Sequence, residues 1–293
     1  MRDIPATIQT NKLTWEKVKM KKTLSVLIAT VMAVAVLMGC AKKQDGSFTS
    51  KIKEKGKLVV YTNPEFPPYE YVGENGKIDG AEIEIVNEIA ARLGVKAEIV
   101  SAEFDSIIGS VSTGKADLGA SGFTINEERK QVVSFSDPFV ISVQYLIVPE
   151  NSPYKTIEDL AGKKIGGQNG TTGFMMVEDC IKSGLLKDTK SEAKSFNTAP
   201  DAVVAMKAGQ IDAVVIDDLV AKSLAKKNPG YKAIALVTKE GNGLDLPEEF
   251  GMIVKKGNED LLEVINIVIK DMITDGSLHN IINKHQDLTS VAN

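Results

Sequence analysis

Two kinds of apolar pattern alternate along the chain from residue 58 onward. Short unbroken apolar runs are typical of buried strands, whereas apolar residues that recur every three or four positions predict amphipathic helices. Residues 81–93 show the second pattern and are followed by Gly94, a residue type that commonly terminates helices. Because strands and helices alternate, the sequence predicts an α/β fold with a mainly parallel sheet and crossover helices.

The predicted elements cover most of the chain after residue 57. Strands are predicted at residues 58–61, 97–100, 117–120, 163–166, 192–196, 211–216, 232–236 and 250–254. Helices are predicted at residues 81–93, 104–111, 174–185, 198–208, 260–273 and 277–285. The helix at 198–208 has the clearest start, since Thr198 is suited to cap it and Pro200 lies in its first turn.

An internal repeat links the two halves of the chain. Residues 105–120, DSIIGSVSTGKADLGA, resemble residues 201–215, DAVVAMKAGQIDAVV, which are one residue shorter. The repeat predicts two similar α/β lobes, although helix–glycine–strand units also recur by chance. Ligands of open α/β sheets bind beyond the carboxyl ends of the strands. We therefore expect the strand ends at Gly122 and Asp217 to face each other across a site.

The pattern also predicts where the lobes begin and end. The first lobe is expected to comprise residues 58–143 and 250–293, and the second lobe residues 144–249. The chain would then cross between the lobes twice, in hinge segments near residues 142–149 and 244–251.

The first 39 residues predict a signal peptide. Several lysines precede the apolar run 24–38, which is short for a spanning helix, since such a helix needs about 20 apolar residues. The run ends in Leu-Met-Gly-Cys, which resembles the lipobox of bacterial lipoproteins and implies cleavage before Cys40 and a lipid on its sulfur. A plain signal peptide and a single-span anchor remain open, and Met20 offers a second start. Residues 40–57 are polar and predict a lipidated tether.

The net charge and the cysteine content limit the binding partners and the disulfide bonds that can be expected. The first 39 residues hold six Lys or Arg and two acidic residues, which leaves 29 basic and 37 acidic residues and a net charge near −8. Such a body argues against binding to nucleic acid or to an anionic membrane surface. With Cys40 lipidated, only Cys180 remains, so no intramolecular disulfide can form. Cys180 lies in a helical pattern and is predicted to pack in the core.

The stretch 119–139 carries the first candidate chemistry. A turn at Gly122 follows a strand, and Thr124 and Arg129 come directly after it. Glycine in such a turn lets a ligand approach the backbone, and a guanidinium is suited to a carboxylate or a phosphate. Taken alone, the stretch is equally consistent with a solvated helix start in which Glu127 or Glu128 pairs with Arg129.

A second anion site is predicted at residues 167–173, GQNGTTG, just before a helix. The spacing is not the dinucleotide fingerprint GxGxxG. The first amides of the helix would still attract an anion such as a carboxylate. His279 and His285 lack partners at catalytic or metal-ligand spacing and are expected to be solvated. The sequence predicts neither a cofactor nor a metal.

These parts suggest one kind of ligand. Arg129 and Thr172 would accept an anion, Asp217 would accept a cation, and Phe66 and Phe104 would supply apolar faces. An anion and a cation held a few ångströms apart describe the zwitterion of an α-amino acid. Burial of each charge costs several kcal/mol unless a charged, hydrogen-bonded partner is present.

The chain resembles the extracellular solute-binding proteins of ABC importers, specifically the polar amino-acid type. The segments that carry the resemblance are GASGFTINEER (119–129), FSDPF (135–139), DLAGK (159–163), GTTG (170–173) and GQIDAVVID (209–217). No single segment is specific, but the set is. The resemblance implies a two-lobed fold like that of the type II periplasmic binding proteins. Each lobe would be a mainly parallel sheet flanked by helices, and two crossover hinge strands would join the lobes.

The resemblance also implies roles for individual residues. The ligand carboxylate would lie on Arg129, Thr124, Thr172 and the backbone near Thr171. The ammonium would lie on Asp217 and near Gly122, and the side chain would pack on Phe66 and Phe104. Two further positions depart from the common pattern. Asn63 stands where binders of basic amino acids often have Asp, and Gln168 occupies a position that can be aliphatic, which indicates a polar ligand side chain.

The sequence therefore predicts a lipid-anchored extracellular receptor, expected to be monomeric, that closes on a polar amino acid and presents it to an ABC permease. Two alternatives remain. An enzyme on the same scaffold, such as the dehydratases that resemble this family, would need an acid or base at the reacting centre, for which Glu65 and Glu127 are the nearest candidates. A sensor module would normally precede a membrane-spanning segment. The sequence does not name the amino acid bound.

Overall fold

The computed structural model describes residues 46–244 and 247–289. The predicted signal peptide and Cys40 lie outside the described residues. Among the helices that are described, none has both the length and the apolar character needed to cross a bilayer.

The strands of the described residues are short and distributed along the whole chain. They are β1 (Lys57–Thr62), β2 (Glu65–Phe66), β3 (Glu70–Val72), β4 (Ile78–Asp79), β5 (Lys96–Ser101), β6 (Leu118–Gly119), β7 (Val133–Phe135), β8 (Val140–Ser142), β9 (Gln144–Pro149), β10 (Lys164–Gln168), β11 (Glu192–Phe196), β12 (Ala213–Asp217), β13 (Tyr231–Ala235), β14 (Glu248–Phe250) and β15 (Ile253–Lys255).

The helices lie between these strands, with the longest at the end of the chain. They are α1 (Phe48–Lys55), α2 (Ala81–Leu93), α3 (Phe104–Thr113), α4 (Glu127–Lys130), α5 (Thr172–Lys182), α6 (Ala199–Lys207), α7 (Asp218–Lys227), α8 (Glu259–Thr274) and α9 (Ser277–Thr289), with a 3-10 helix at Ile157–Leu160. The predicted helix signals are confirmed. Gly94 ends α2 with φ 73°, and the Thr198 side chain accepts a hydrogen bond from the amide of Asp201 at the start of α6.

Two five-stranded sheets form the cores of two lobes. The first has the order β5-β1-β6-β15-β7 and the second the order β11-β10-β12-β9-β13. In the first sheet β15 runs antiparallel to both neighbours, and in the second β9 does the same. Four strands of each sheet therefore point in one direction, which confirms the predicted fold class with one reversed strand in each lobe. The reversed strand is in both cases the first one after the chain crosses between lobes, where no crossover helix imposes a parallel pairing.

The two crossing segments lie side by side. Strands β8 and β14 pair antiparallel, with Glu248 opposite Ser142 and Phe250 opposite Val140. Strand β9 already belongs to the second sheet, so β8 and β14 are the paired strands at the crossing. The predicted strand at 250–254 is interrupted, because β14 ends at Phe250 and β15 begins only at Ile253.

Alternate residues of the strands and one face of each flanking helix build the core. Leu58 and Val60 of β1 pack against the buried face of α2, which includes Ile85 and Ile89. Burial of each such side chain stabilises the fold by about 1.5–3 kcal/mol. Cys180 is buried in the core of the second lobe as predicted. Packing on both faces leaves the carboxyl ends of the strands as the accessible edge of each sheet.

Helix α1 corrects the predicted extent of the tether. Its residue Ile52 is buried, and Asp260 at the start of α8 accepts hydrogen bonds from the amide and hydroxyl of Thr49 at 2.7 and 2.8 Å. The stretch expected to be a tether over residues 40–57 therefore contains a packed helix, with Ile52 in the core and Thr49 bonded to Asp260. Any tether ends before Phe48.

His285 is also placed differently from the expectation. Its side chain is fully buried between Tyr71, whose hydroxyl lies 2.8 Å from Nδ1, and Glu84, whose carboxylate lies 2.7 Å from Nε2. His279 on the same helix is exposed as expected. The two residues are six positions apart, which places them about 120° from each other around α9, so they lie on different faces of the helix, and the predicted solvation of His285 is wrong.

Candidate functional site

A cleft between the two lobes brings together all ten residues that the sequence predicted as ligand contacts. The cleft is small, with about 310 Å³ of space between the surrounding atoms, part of it open to solvent. Its lining consists of Asn63, Phe66, Phe104, Ser121, Gly122, Thr124, Arg129, Gln168, Thr171, Thr172 and Asp217. Ser121 is the single lining residue that was not among the predicted contacts.

The topology explains why these residues meet. Asn63 and Gly122 follow the ends of β1 and β6 in the first sheet, which are parallel neighbours. In the second sheet, Gln168 and Asp217 end the parallel neighbours β10 and β12, and Thr172 begins the helix that follows β10. The cleft therefore lies where the carboxyl ends of two parallel sheets face each other, the position at which open α/β sheets bind ligands.

Arg129 is held in a defined orientation at one side of the cleft. Its Nη1 donates to the carbonyl oxygen of Thr124 at 2.9 Å, and its Nη2 donates to the carbonyl oxygen of Gly170 at 3.0 Å. The guanidinium also lies over the rings of Phe104 and Phe123, 5.7 Å from each centroid. A guanidinium has five N–H donors, so these two bonds leave further donors for an anion.

The start of helix α5 lies opposite Arg129. Thr171 caps the helix, since its hydroxyl oxygen accepts a hydrogen bond from the amide of Phe174 at 3.3 Å. The first amides of an α-helix have no acceptor within the helix, and they carry the positive end of its dipole. Arg129 and this helix start therefore form a site suited to a carboxylate.

Asp217 supplies the opposite charge from the second lobe. It is 5% exposed, and its Oδ1 accepts hydrogen bonds from Ser142 Oγ at 3.0 Å and from Gln144 Nε2 at 3.2 Å. Burial, and then the negative charge of Glu248, raise the pKa of Asp217 to about 8. Burial lowers the pKa of Arg129, while Glu248 and Asp217 act in the opposite direction. A cation next to Asp217 would favour its ionised form.

Glu248 is a charged residue at the edge of this site that sequence reasoning missed. Its Oε2 accepts hydrogen bonds from Thr124 Oγ1 at 2.6 Å and from Thr172 Oγ1 at 2.8 Å, and the residue is buried. One carboxylate on a crossing strand thus joins a threonine from each lobe. Its spacing from Phe250 could have indicated its burial. Glu248 lies two positions before Phe250 in the same strand, and alternate residues of a strand lie on the same face.

Because each hydroxyl donates its single proton to Glu248, neither Thr124 nor Thr172 can at the same time donate that proton to a ligand. The two hydroxyls can still accept hydrogen bonds. The expected carboxylate contacts of these threonines are therefore restricted to their backbone amides while Glu248 holds the hydroxyls.

The other end of the cleft is lined by amides and aromatic rings. Gln168 Nε2 donates to Asn63 Oδ1 at 2.9 Å across the cleft and to the carbonyl oxygen of Asn197 at 2.9 Å. Phe66 lies against Tyr69 with ring centroids 5.7 Å apart, and Phe104 stacks on Phe123 at 4.9 Å. Among the described residues that line the cleft, the charged side chains are those of Arg129 and Asp217, so this end is polar but neutral.

Glycine is required at position 122 for two reasons, its backbone conformation and the side chain that lies next to it. Its φ is +58°, and a Cβ built on it would lie 2.6 Å from Cε1 of Phe66. A side chain here would have to displace the Phe66 ring. Its amide donates to Oε2 of Glu82 at 2.8 Å, so the turn is anchored from beneath.

The two acids considered for catalysis lie elsewhere. Glu127 is exposed and pairs with Lys130 at 2.9 Å. Glu65 is half-buried, and burial followed by the charge of Asp201 raises its pKa. Neither residue lines the cleft.

Comparison with known proteins agrees with this geometry. Residues 58–287 match the family described as bacterial extracellular solute-binding proteins, family 3. The L-cystine-binding protein TcyJ of Escherichia coli K12 is 32% identical over 252 residues, which cover 85% of this chain and 90% of the relative. The arginine-binding extracellular protein ArtP of Bacillus subtilis is 27% identical over 89% of this chain and 96% of its own length.

Solved structures show the same two-lobed architecture. An amino acid ABC transporter substrate-binding protein from Streptococcus pneumoniae, bound to L-arginine, superposes with a TM-score of 0.75 at 32% identity and covers 82% of this chain and 99% of its own. A mutant of an arginine-binding protein from T. maritima gives a TM-score of 0.71 at 38% identity, over 80% of this chain and 97% of its own.

Proposed function

The chain belongs to the bacterial extracellular solute-binding proteins, family 3, and on that premise we propose that it captures a free polar α-amino acid between its two lobes for an ABC permease. Its relatives are named for binding cystine, arginine and histidine, and solved neighbours hold arginine. The observation that carries the proposal is that Arg129 of the first lobe and Asp217 of the second line one small cleft.

In the proposed complex the ligand carboxylate lies between Arg129 and the first amides of helix α5, near Thr171 and Thr172. The ammonium lies on Asp217 and near Gly122. A buried amino acid must keep a partner for each of its two charges, because unpaired burial of either would cost several kcal/mol. Glu248 contributes by holding the hydroxyls of Thr124 and Thr172, so that both lobes are fixed around the carboxylate.

The ligand side chain would lie between Phe66 and Phe104 and near the amides of Asn63 and Gln168. This end of the cleft has no carboxylate to pair with a second cation. We therefore expect a polar, uncharged side chain to be preferred to that of lysine or arginine.

Closure of the two lobes around the ligand belongs to the same proposal, with hinges at residues 142–149 and 244–251 and lobes at 58–143 with 250–293 and at 144–249. Contacts such as Gln168 with Asn63 and Arg129 with Gly170 join opposite sides of the cleft. The ligand would stabilise the closed state through contacts that both lobes make only there.

Binding rather than catalysis is proposed, since the relatives are binding proteins and Glu65 and Glu127 lie outside the cleft lining. A dehydratase-like enzyme and an extracellular sensor module are the alternative functions. Conversion of any bound amino acid on incubation with the protein, detected by mass spectrometry, would favour the enzyme.

A lipid anchor is proposed as well. The family is extracellular, and lipidation of Cys40 after removal of residues 1–39 would hold a monomeric protein at the outer face of the membrane beside its permease. Mass spectrometry of the membrane fraction should find the lipid on Cys40. The Cys40→Ala variant should then be uncleaved or lose its lipid.

A thermal-shift screen of the twenty amino acids on a form that begins at residue 41 tests the binding proposal. A ligand present at 100 times its Kd stabilises the folded state by about 2.7 kcal/mol. That corresponds to a rise in Tm of roughly 5–10 °C for a chain of this size. If none of the twenty raises the Tm, the proposed function is wrong.

A further inference from the structure

Two carboxyl groups lie directly beneath the turn that lines the cleft at Ser121 and Gly122. Glu70 on β3 and Glu82 in the first turn of α2 are both fully buried. Ser121 Oγ donates to Glu70 Oε1 at 3.2 Å, and the Gly122 amide donates to Glu82 Oε2 at 2.8 Å. Ser121 Oγ also accepts the amide of Asn63 at 3.0 Å. Three residues of the cleft lining therefore rest on this acid pair.

The two carboxyl groups accept hydrogen bonds from consecutive residues, Ser121 and Gly122, and after burial the charge of Glu82 is the next cause that raises the pKa of Glu70. Glu70 Oε2 and Glu82 Oε1 are inaccessible to solvent, and neither accepts a hydrogen bond from a donor among the described residues. Two ionised carboxylates have only acceptor atoms, so a hydrogen bond between them requires a proton on one of them. A single proton shared between Glu70 Oε2 and Glu82 Oε1 would give each of these oxygens a hydrogen-bond partner.

In the part of the chain that the structure describes, no Lys, Arg or His pairs with Glu70 or Glu82. The charged side chains of the surrounding elements pair with one another instead: Arg92 with Asp271, Lys55 with Asp117, and Glu84 with Lys284 and His285. Asp79 on β4 is also acidic. The nearby phenol of Tyr69 is buried, and burial together with Asp218, Asp217, Glu70 and Glu82 raises its pKa, so it stays neutral.

We propose that Glu70 and Glu82 are positioning residues that share one proton, and that this proton holds the turn at Ser121 and Gly122 in the conformation that the ligand site requires. The proposal rests on the proposed function for its affinity readout alone. Loss of the proton would leave two adjacent buried carboxylates without a counter-charge, and their repulsion would separate the groups that anchor Ser121 and Gly122.

The direction of the pH dependence follows from burial. Burial, and the charge of Glu82, raise the pKa of Glu70 well above its usual value, and burial raises the pKa of Glu82 to about 7. A carboxyl group whose pKa is raised in the folded state contributes stability below its unfolded pKa. That stability is lost as the pH rises through the folded value. The folded protein should therefore lose stability between about pH 5 and pH 8 through this pair.

Glu82→Gln tests the proposal because an amide replaces the shared proton with a permanent donor. Its oxygen can accept from Gly122 while its NH2 donates to Glu70. Purified, ligand-free wild type should show the infrared carbonyl band of a protonated carboxylic acid at about pH 6, and this band should weaken in Glu82→Gln. The Tm of the wild type should fall from about pH 5 to pH 8 more steeply than that of Glu82→Gln.

Affinity for an amino acid found by the thermal-shift screen supplies the functional readout. At about pH 6, Glu82→Gln should bind within about twofold of the wild type, whereas Glu82→Ala should bind at least tenfold more weakly because it strands the Gly122 amide. From pH 7 to pH 8 the affinity of the wild type relative to Glu82→Gln should fall by up to about tenfold, as expected for one proton. Glu98→Gln, at an exposed surface pair with Lys57, is the control and should match the wild type throughout.

Several outcomes would overturn the proposal. Absence of the infrared band in the wild type, or identical pH profiles for wild type and Glu82→Gln, would show that no proton is shared. Loss of affinity in Glu82→Gln at about pH 6 with an unchanged Tm would show that binding needs the negative charge of Glu82 and not a shared proton. If Glu82→Gln fails to fold, Glu70→Gln makes the reciprocal replacement and is judged by the same criteria. Because the infrared and ligand-free stability readouts need no ligand, they test the acid pair even if no amino acid binds.

Discussion

Arg129 Nη2 donates a 3.0 Å hydrogen bond to the carbonyl oxygen of Gly170 on the opposite side of the cleft. The arginine proposed to bind the ligand carboxylate is therefore also a direct link between the two lobes. Since Nη1 holds the carbonyl oxygen of Thr124, the fork geometry of the guanidinium serves the first lobe and the second at once.

Arg129→Lys should abolish most of the ligand affinity although it keeps the positive charge. A lysine ammonium cannot make the forked contacts to Thr124 and Gly170 and present a second edge to a carboxylate. The affinity should fall by at least about 30-fold, since loss of one partner of a buried, hydrogen-bonded charge pair costs about 2–5 kcal/mol. Isothermal titration calorimetry measures the change. Arg92→Lys, at an exposed pair with Asp271, is the matched control, and wild-type affinity in Arg129→Lys would show that Arg129 does not bind the ligand.

Ligand affinity should rise with pH between about pH 5 and pH 7. Asp217 has a pKa of about 8 in the buried site, and the ligand ammonium favours its ionised form, so the pKa is lower in the complex. Between these two values binding releases a proton, and affinity increases by up to about tenfold per pH unit. Calorimetry in two buffers of different ionisation enthalpy measures the proton release.

The Asp217→Asn variant should bind at least about 30-fold more weakly and release no proton. Asp218→Asn is the control, because Asp218 pairs with Lys222 and does not line the cleft. Proton release that persists in Asp217→Asn would assign the titration to another group.

Glu248→Ala should weaken binding by about tenfold or more, because it leaves the hydroxyls of Thr124 and Thr172 without their shared acceptor. Glu248→Gln should weaken binding less and shift the pH dependence of affinity to lower pH, since it removes the negative charge that raises the pKa of Asp217. Titration calorimetry across the same pH range separates the two effects. Glu249→Gln is the control, as the neighbouring side chain is exposed. An unchanged pH profile in Glu248→Gln would refute the electrostatic link.

Gly122→Ala should reduce both stability and affinity, whereas Gly209→Ala should reduce stability alone. Both glycines have positive φ, +58° and +71°, so each alanine costs about 1–2 kcal/mol of backbone strain. A Cβ at Gly122 would in addition collide with the Phe66 ring, while one at Gly209 meets no atom within 4 Å. Thermal unfolding and calorimetry of both variants check this. Equal affinity in the two would mean that Phe66 does not contact the ligand.

Much of the fold could be predicted from local pattern. The start of α6 at Thr198 and the end of α2 at Gly94 depend on residues only a few positions apart, so periodicity and capping were sufficient. The internal repeat also predicted two lobes, each with a mainly parallel sheet. Parallel strands that are joined by helices bring their carboxyl ends to one edge of the sheet. That edge predicts that Gly122 and Asp217 face each other, and both residues line the cleft.

The sequence by itself determined the two-lobed fold class, most helix and strand positions and ten of the eleven described residues that line the cleft. Only the tertiary structure decided that Glu248 reaches Thr124, 124 positions away, that Glu70 and Glu82 lie beneath the turn at Ser121 and Gly122, and that His285 is buried against Tyr71. The reason is physical. A buried carboxyl or imidazole group is stable only where distant parts of the chain supply its hydrogen-bond partners or its proton. No local periodicity records which distant residues those will be.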